Sequence, residues 1–134
     1  MNRTTKIVLA AAVLLLVTGA VFFTPYPIVV VPEWKLRIVD ASGQPAVGAG
    51  LQQEWIDPDM DGQTLGATQT SDSNGLVVFP ERRVHNRLAN LKPFSPSAHV
   101  YVCWNGQHGQ IFWYGPAPLP SVMKLENGPV CPYS

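Results

Sequence analysis

The sequence predicts an all-β domain, a two-layer β-sandwich of about seven strands, preceded by one N-terminal hydrophobic helix. Thirteen prolines and eleven glycines are scattered among Val, Ile, Phe, Tyr and Trp, a composition typical of short strands joined by tight turns. Several segments alternate apolar and polar residues with the period of two that strands require. At 134 residues, the chain accommodates one domain of about 100 residues after the helix.

The first segment has the pattern of an export signal. Arg3 and Lys6 precede an apolar run without charges, Ile7 to Phe23. As a helix this run spans roughly 25 Å, slightly less than the hydrocarbon core of a bilayer, so residues 1–24 could be a cleaved signal peptide or an uncleaved signal anchor. Basic flanking residues stay in the cytoplasm. We therefore expect a bacterial inner-membrane anchor with a periplasmic domain, or a secreted domain if the leader is cleaved.

Residues 25–34 are predicted to be a linker or a first strand. Tyr26 and Trp34 flank the segment "PIVVVP", and aromatic residues at such positions often lie at the level of the lipid headgroups. That placement favours the anchor over the cleaved signal. The alternative is that Ile28 to Val31 form a buried strand of the domain.

The exported domain is expected to cover residues 35–134 and to begin with the strictly alternating strand "KLRIVD". After a turn at Gly43, a second strand is predicted from about Val47 to Ile56. The run from Gly48 to Gly50 leaves little side chain on this strand. Close packing of another segment is therefore expected there.

The next segments continue the pattern of strands and turns. "TLGATQT" is typical of a short polar strand at a sheet edge. "SDSNG" predicts a turn in which Asn74 and Gly75 form a pair of residues with positive φ. "LVVFP" is a strand that Pro80 ends, and "SVMKLE" is the last strand.

The stretch "ERRVHNRLANL" breaks this alternation. Val84, Leu88 and Leu91 recur at helical spacing. The spacing predicts a short helix from about Arg83 to Asn90.

Two stretches together resemble a known family. "LRIVDASGQPAVGAGLQ" and the later "TQTSDSNGLVVFP" are similar to the carboxypeptidase regulatory-like domains, which have a prealbumin-like (transthyretin-like) fold, an immunoglobulin-like β-sandwich. The resemblance covers Leu36 to Pro80, under half of the chain. The residues that carry it are Asp40, Gly43, Pro45, Val47, Gly48, Ala49, Thr70, Asp72, Asn74, Gly75, Val78 and Phe79. It implies a non-catalytic module for protein interaction or scaffolding at the cell envelope.

The two cysteines are expected to form a disulfide. Cys103 and Cys131 both lie on the exported side of the chain, where oxidation is permitted. A redox or metal pair would need closer spacing or neighbouring histidines. A bridge between them would stabilise the fold by about 3 to 4 kcal/mol in the chain-entropy model.

The stretch "DPDMDG" places three carboxylates, Asp57, Asp59 and Asp61, at alternate positions before a glycine. An EF-hand calcium loop begins in the same way. However, Thr68 stands where such a loop needs a bidentate glutamate, and Pro58 stiffens the beginning of the loop. One interpretation is a weak extracellular calcium site. The other, which we favour, is a metal-free connection between two strands.

Composition argues against several classes of function. Charged residues make up 13% of the chain and cancel to a net charge of zero, so no basic surface for nucleic acid is expected. The serines lie in turn contexts without a Gly-x-Ser-x-Gly elbow, and the histidines are too dispersed for a zinc site. We expect neither an enzyme nor a cofactor. Arg82, Arg83 and Arg87 could bind an anionic lipid headgroup or polymer, or form a solvated face that Glu81 balances.

An aromatic hairpin is the candidate ligand-binding element. "AHVYVCW" and "GQIFWY" are two strands joined by "NGQHG", and both of their faces are apolar or aromatic. One face must form the core. We favour covering of the other by the proline-rich segment "GPAPLP" and the disulfide-tethered tail; the alternative is an exposed platform for an envelope protein or a glycan. The candidate ligand-binding residues are Tyr101, Trp104, Trp113 and Tyr114.

Overall fold

The computed structural model describes residues 2–57, 63–87, 95–128 and 131, with the side chains of residues 86 and 87 left out. In this part of the chain one helix is followed by ten strands. Their bounds are α1 Arg3–Phe23, β1 Pro25–Val31, β2 Trp34–Val39, β3 Gly50–Ile56, β4 Thr64–Thr70, β5 Leu76–Phe79, β6 Arg82–Arg87, β7 Ser97–Trp104, β8 Gln107–Tyr114, β9 Val122–Lys124 and β10 Glu126–Asn127. The predicted all-β class with one N-terminal hydrophobic helix is confirmed.

The strands form two layers around one core. Five strands make one sheet in the order β10-β8-β7-β3-β4. The other layer contains the sheet β5-β2-β9, in which β2 and β9 run parallel. It also contains the two-stranded ribbon β1-β6, whose strands adjoin β2 and β5 in the chain. The largest side chains buried between the layers are Trp34, Phe79, Leu36, Ile38, Leu51 and Leu125.

The helix α1 is apolar and none of its residues is buried. Its 21 residues span about 32 Å, which matches the hydrocarbon core of a bilayer. The helix is longer than the apolar run alone because it includes Arg3 and Lys6. By length and composition α1 is able to cross a membrane, and a signal sequence near the N-terminus has the same properties.

The segment after α1 enters the domain directly. Pro25–Val31 form β1, and its last two residues are buried in the core. Trp34 is fully buried at the start of β2, and its indole Nε1 donates a hydrogen bond to the carbonyl of Pro120 at 2.6 Å. The expectation that Trp34 lies near the lipid headgroups is therefore wrong. The sandwich core takes up the apolar ring and provides a partner for its one polar group.

The helix expected from about Arg83 to Asn90 is a strand instead. Residues Arg82–Arg87 form β6, which is antiparallel to β1. Val84 is buried while its two neighbours are exposed, which is the period of a strand. Pairing with β1 therefore outweighs the helical spacing of the apolar residues. Residues 88–90 lie outside the described part of the chain.

The structure has three strands more than the seven or so that were expected. The strands β1 and β6 form an additional ribbon, and the last predicted strand is divided in two. Val122–Lys124 pairs with β2 in one layer, and Glu126–Asn127 pairs with β8 in the other. Between them Leu125 is buried in the core. The chain changes layers at this residue.

Two turns of the same design lie in the stretches that carry the family resemblance. In each, an aspartate Oδ1 accepts hydrogen bonds from the backbone N–H groups two and four residues further on, at 2.8 to 2.9 Å. A glycine three residues after the aspartate takes a positive φ, 89° at Gly43 and 71° at Gly75. The aspartates are Asp40 and Asp72. Asn74 does not take a positive φ, so only half of the expected pair is present.

Ser71 joins two crossings, the connections β2–β3 and β4–β5 by which the chain passes from one layer to the other. Its Oγ accepts a hydrogen bond from the N–H of Ala49 at 2.9 Å and donates one to the carbonyl of Ala46 at 2.6 Å. Its backbone accepts from Gly48 at 3.1 Å and donates to Ala49 at 2.9 Å. Ser71 lies between β4 and β5, and its partners lie between β2 and β3. These four hydrogen bonds hold the two crossings side by side.

A close backbone approach occurs at Gly75. A Cβ there would lie 2.5 Å from the carbonyl oxygen of Ile38 and 3.2 Å from the backbone nitrogen of Ala46, so only glycine fits without a shift of the chain. By contrast, a Cβ at Gly48 or Gly50 would meet nothing within 4 Å. The expected close packing of another segment is present, since the Ser71 segment contacts Gly48 and Ala49, but it does not depend on the absence of side chains at the two glycines.

Replacing Ser71 with alanine tests this junction. Ser71→Ala leaves the N–H of Ala49 and the carbonyl of Ala46 without their side-chain partner. We expect the free energy of unfolding, measured by urea denaturation, to fall by about 2 to 4 kcal/mol, since each buried unsatisfied group costs about 1 to 3 kcal/mol. Ser73→Ala makes the same chemical change at an exposed position of the same turn and should cost about 0.5 kcal/mol or less. Equal effects of the two substitutions would contradict the role of Ser71.

Candidate ligand-binding face

The hairpin β7-β8 presents the outer face of the five-stranded sheet. Its turn consists of Asn105 and Gly106, with φ values of 48° and 70°. Two successive positive φ angles suit the twist of a two-residue hairpin turn, so the loop is shorter than the predicted "NGQHG". This turn sets the register in which Val100 pairs with Ile111. Register decides which side chains become neighbours on each face.

The structure separates the four aromatic residues proposed for ligand binding. Trp113 is only 6% exposed, and its Nε1 donates to the carbonyl of Ala117 at 2.7 Å. Trp104 is half-buried and packs against the core. Tyr101 and Tyr114 lie on the outer face, and Tyr114 is 64% exposed. The outer face therefore contains both tyrosines and neither tryptophan.

The proline-rich segment 115–120 packs on the core side of the sheet. Its carbonyls at Ala117 and Pro120 accept hydrogen bonds from the buried indoles of Trp113 and Trp34. The segment therefore closes the core between the two layers. The expectation that it covers the outer aromatic face is wrong, because its partners are the core tryptophans.

Cys103 and Cys131 form a disulfide, with their Cα atoms 5.7 Å apart. Cys103 lies on the outer face at the turn end of the hairpin, opposite His108. The described part of the tail is therefore attached at this end, whereas Tyr114 lies at the other end of β8. The disulfide and the apolar N-terminal helix together indicate a location outside the cytoplasm.

Three rings form an aromatic row on the outer face. His99 stacks on Phe112, with ring centroids 4.0 Å apart and planes inclined by 4°. The rings of Phe112 and Tyr114 are 6.5 Å apart and inclined by 10°. His99 and Phe112 are neighbours on adjacent strands. Phe112 and Tyr114 are alternate residues of β8, and such residues are about 6.6 Å apart. Phe112 and Tyr114 thus present parallel rings side by side, with exposures of 50% and 64%.

A polar pair borders this row on the side of β3. The hydroxyl of Tyr101 donates a hydrogen bond to Glu54 Oε1 at 3.0 Å, and its ring lies 5.1 Å from that of His99. Partial burial, followed by the hydrogen bond to Glu54 and the carboxylate charge, raises the pKa of Tyr101. The phenol therefore keeps its proton and remains a donor at neutral pH.

The row and Glu54 border a shallow groove of about 200 Å³. Pockets that enclose a drug-sized ligand measure about 300 to 1,000 Å³, so this groove suits one part of a larger ligand laid across the sheet. Its walls combine aromatic rings with carboxylate, imidazole and hydroxyl groups. The lining includes Glu54, Thr64, Ser97, His99, Phe112 and Tyr114.

Sequence reasoning did not include Glu54, His99 or Phe112 among the site residues. Alternation places His99 and Phe112 on the face shared with the two tyrosines, and this signal was present in the sequence. Their stacking, however, depends on the exact pairing of His99 with Phe112. The pairing of Glu54 with His99 joins β3 to β7, two strands far apart in the chain, and no local pattern encodes it.

The acidic stretch is only partly within the described residues. Asp57 is 8% exposed, and its N–H is hydrogen-bonded across the base of the loop. Asp59 and Asp61 lie outside the described part of the chain. Thr68, at the position of the missing glutamate, belongs to β4 and donates its hydroxyl to Gln52 Oε1 at 2.6 Å. The described residues contain no group of three His, Cys, Asp or Glu side chains suited to a metal ion, and the calcium hypothesis stays a prediction.

The pKa of Tyr101 tests the polar pair. Because the pKa of Tyr101 is raised in the folded state, the neutral phenol contributes fully to stability at pH values below its ordinary pKa of 10.0. This contribution is lost as the pH rises through the folded-state pKa. Glu54→Gln removes the charge but not the burial, so the pKa of Tyr101 should fall part of the way toward 10.0. An alkaline NMR titration of the tyrosine rings measures it. Glu33→Gln, at an exposed position in the other layer, should leave it unchanged; no difference between the two variants would contradict the pairing.

No protein-family model and no curated protein matches this chain. The resemblance of Leu36–Pro80 to carboxypeptidase regulatory-like domains therefore stays a prediction. Any functional conclusion has to come from the geometry of the outer face.

Proposed function

We propose that the protein is a non-catalytic recognition module that α1 holds at the cell envelope, and that it binds an envelope glycan on the outer face of its five-stranded sheet. The observation that carries this proposal is the exposed pair of parallel rings, Phe112 and Tyr114, beside a groove with polar walls. The largest exposed apolar patch of a monomeric protein is often a binding surface.

The chemistry of the groove suits a sugar. A sugar ring has C–H groups on its faces, which pack against aromatic rings, and hydroxyls around its rim, which need hydrogen-bond partners. Phe112 and Tyr114 offer ring faces aligned along β8. The carboxylate of Glu54 accepts hydrogen bonds, and the hydroxyls of Thr64 and Ser97 both donate and accept them. A shallow groove leaves the two ends of a polysaccharide chain free to continue over the sheet.

The arrangement of the polar groups favours recognition over catalysis. Glycoside hydrolysis ordinarily uses two carboxyl groups on opposite sides of the bond that is cleaved. Among the described residues that line the groove, Glu54 is the one carboxylate. It accepts a hydrogen bond from Tyr101, which orients it as a fixed acceptor.

Retention of α1 would hold the sandwich close to the membrane. The helix has the length and composition of a membrane span, and β1 begins two residues after its last residue, Phe23. A bacterial inner-membrane anchor of this kind would hold the sandwich in the periplasm, where cell-wall glycan is within reach. If α1 is cleaved as a signal peptide, the same module is released. The mass of the N-terminal peptide isolated from membranes distinguishes the two cases.

Binding to purified peptidoglycan sacculi tests the glycan proposal. Burial of one aromatic side chain is worth about 1.5 to 3 kcal/mol, and every 1.4 kcal/mol is about tenfold in affinity. Phe112→Ala and Tyr114→Ala should therefore each weaken cosedimentation with sacculi by about tenfold or more. Tyr114→Phe, which keeps the ring, should retain most of the binding.

Val78→Ala is the matched control, since Val78 is 41% exposed in the other layer. It should bind like the unsubstituted protein. The glycan proposal fails if the unsubstituted protein does not bind sacculi, or if the two alanine variants at the groove bind as well as the control.

The second candidate is a protein-interaction module, and the edge strand β4 favours it. Among the described strands β4 pairs only with β3. Its seven residues, "TLGATQT", contain no charge and no proline, although natural edge strands usually carry such residues to prevent pairing with other chains. An extended segment of an envelope protein could add to this edge as a further strand.

A photoreactive side chain at Thr68 checks the second candidate. Docking at β4 predicts a crosslink in cell membranes to one defined partner protein. The same side chain at Val78 should not capture that partner. Identical crosslinks from both positions, or none from Thr68, would contradict docking at this edge.

A further inference from the structure

If α1 is retained as a membrane anchor, chain connectivity places the beginning of β1 at the membrane surface. α1 ends at Phe23 and β1 begins at Pro25. If α1 is retained as an anchor, as proposed above, Phe23 ends the apolar span and Pro25 lies among the lipid headgroups. Two residues span at most about 7 Å, about the thickness of this layer, so Pro25 lies within the layer or at its outer edge.

Strand pairing brings β6 to the same place. Arg87 is paired with Pro25, and paired residues of antiparallel strands lie about 4.5 to 5.5 Å apart. His85 is roughly 7 Å further along the strand and Arg83 roughly 13 Å. The headgroup region on each side of a bilayer is about 5 to 7 Å thick. The backbone of Arg87 therefore lies within or next to this region, and the long side chain of Arg83 begins within reach of it.

The exposed face of the ribbon combines apolar and basic groups. Arg83 and His85 are both exposed, and Val29, the partner of Arg83, is 40% exposed. Apolar and cationic groups side by side are typical of surfaces that lie in a membrane interface. Glu81 forms an ion pair with Arg83, so one of the basic charges near the membrane is partly balanced.

The third arginine of the cluster has a different role. The guanidinium of Arg82 lies 4.5 Å from the centre of the Trp55 ring, and its Nε donates to Gln53 Oε1 at 3.1 Å. Arg82 is therefore half-buried on the core-facing side of the ribbon. The strand β6 thus presents Arg82 on the core-facing side of the ribbon and Arg83 on the exposed side.

We propose that the ribbon β1-β6 is a membrane-contact surface that binds anionic phospholipid headgroups through basic residues of β6: the exposed Arg83 and Arg87, at the strand end that pairs with Pro25. Its ligands are lipids of the leaflet from which α1 emerges. The contact would restrain the domain relative to the membrane and thereby limit the orientations of the outer sheet face. This inference depends on the proposed retention of α1 and not on glycan binding.

Hydrogen exchange of the full chain in lipid nanodiscs tests this surface. One set of discs contains only zwitterionic phosphatidylcholine, and the other also contains phosphatidylglycerol. Each basic residue near an anionic surface contributes about fivefold in binding. We therefore expect the backbone amides of β1 and β6 to exchange at least about fivefold more slowly in the anionic discs, with no change for β3.

Substitutions locate the contact. The double variant Arg83→Gln, Arg87→Gln should lose the protection by anionic lipid. The double variant Lys35→Gln, Arg37→Gln, an equal charge change at two exposed positions of β2, should retain it. Equal exchange of the unsubstituted chain in the two kinds of disc would overturn the proposal, and this comparison needs no variant. Protection that persists in the β6 double variant would also overturn it, because the lipid would then be bound elsewhere.

The anchor itself is checked separately. A chain isolated from membranes without residues 1–24 would overturn the retention of α1 and, with it, this surface. A chain that retains α1 but exchanges equally in both discs would overturn the lipid contact alone. The two failures are therefore distinguishable.

Discussion

The sandwich depends on the hydrogen-bonded junction at Ser71, where two crossings between the layers meet. The serine hydroxyl joins the strand ends that lead into β3 and β5, and the close approach of Gly75 to Ile38 leaves no room for a side chain beside it. Ala49, one partner of Ser71, directly precedes β3. Because β3 lies between β4 and β7 and carries Glu54, the junction also determines where the polar side of the groove lies.

The two faces of the five-stranded sheet differ in their exposure to solvent. On the inner face, Val100, Val102 and Trp113 are buried in the core. On the outer face, Phe112 and Tyr114 are exposed and are not needed to fill the core. Exposed aromatic side chains raise the risk of aggregation, and their presence beside a polar groove is the basis of the proposed ligand-binding role. The described contact of the tail, the disulfide, lies at the turn end of β7, whereas Tyr114 lies at the other end of β8.

Much of the fold could be predicted from the sequence because its signals are local. Period-two alternation and turn residues such as Gly43 and Gly75 identify most strands without knowledge of their neighbours. The missed features depend on contacts between distant segments. Pairing with β1 makes β6 a strand, and the core takes up Trp34. Likewise, alternation showed which aromatic residues share a face, but only the packing of the second layer decides that Trp113 faces inward and Tyr114 outward.

The outer face is the centre of the functional interpretation, and residue-resolved NMR of the labelled full chain tests it most directly. Soluble peptidoglycan fragments are added until the shifts saturate, and the perturbed backbone amides are mapped onto the two layers. Binding at the groove predicts that the largest shifts occur around Glu54, His99 and Phe112. Shifts confined to the layer that contains β2, β5 and β9, or no shifts at any fragment concentration, would contradict a glycan-binding role for this face.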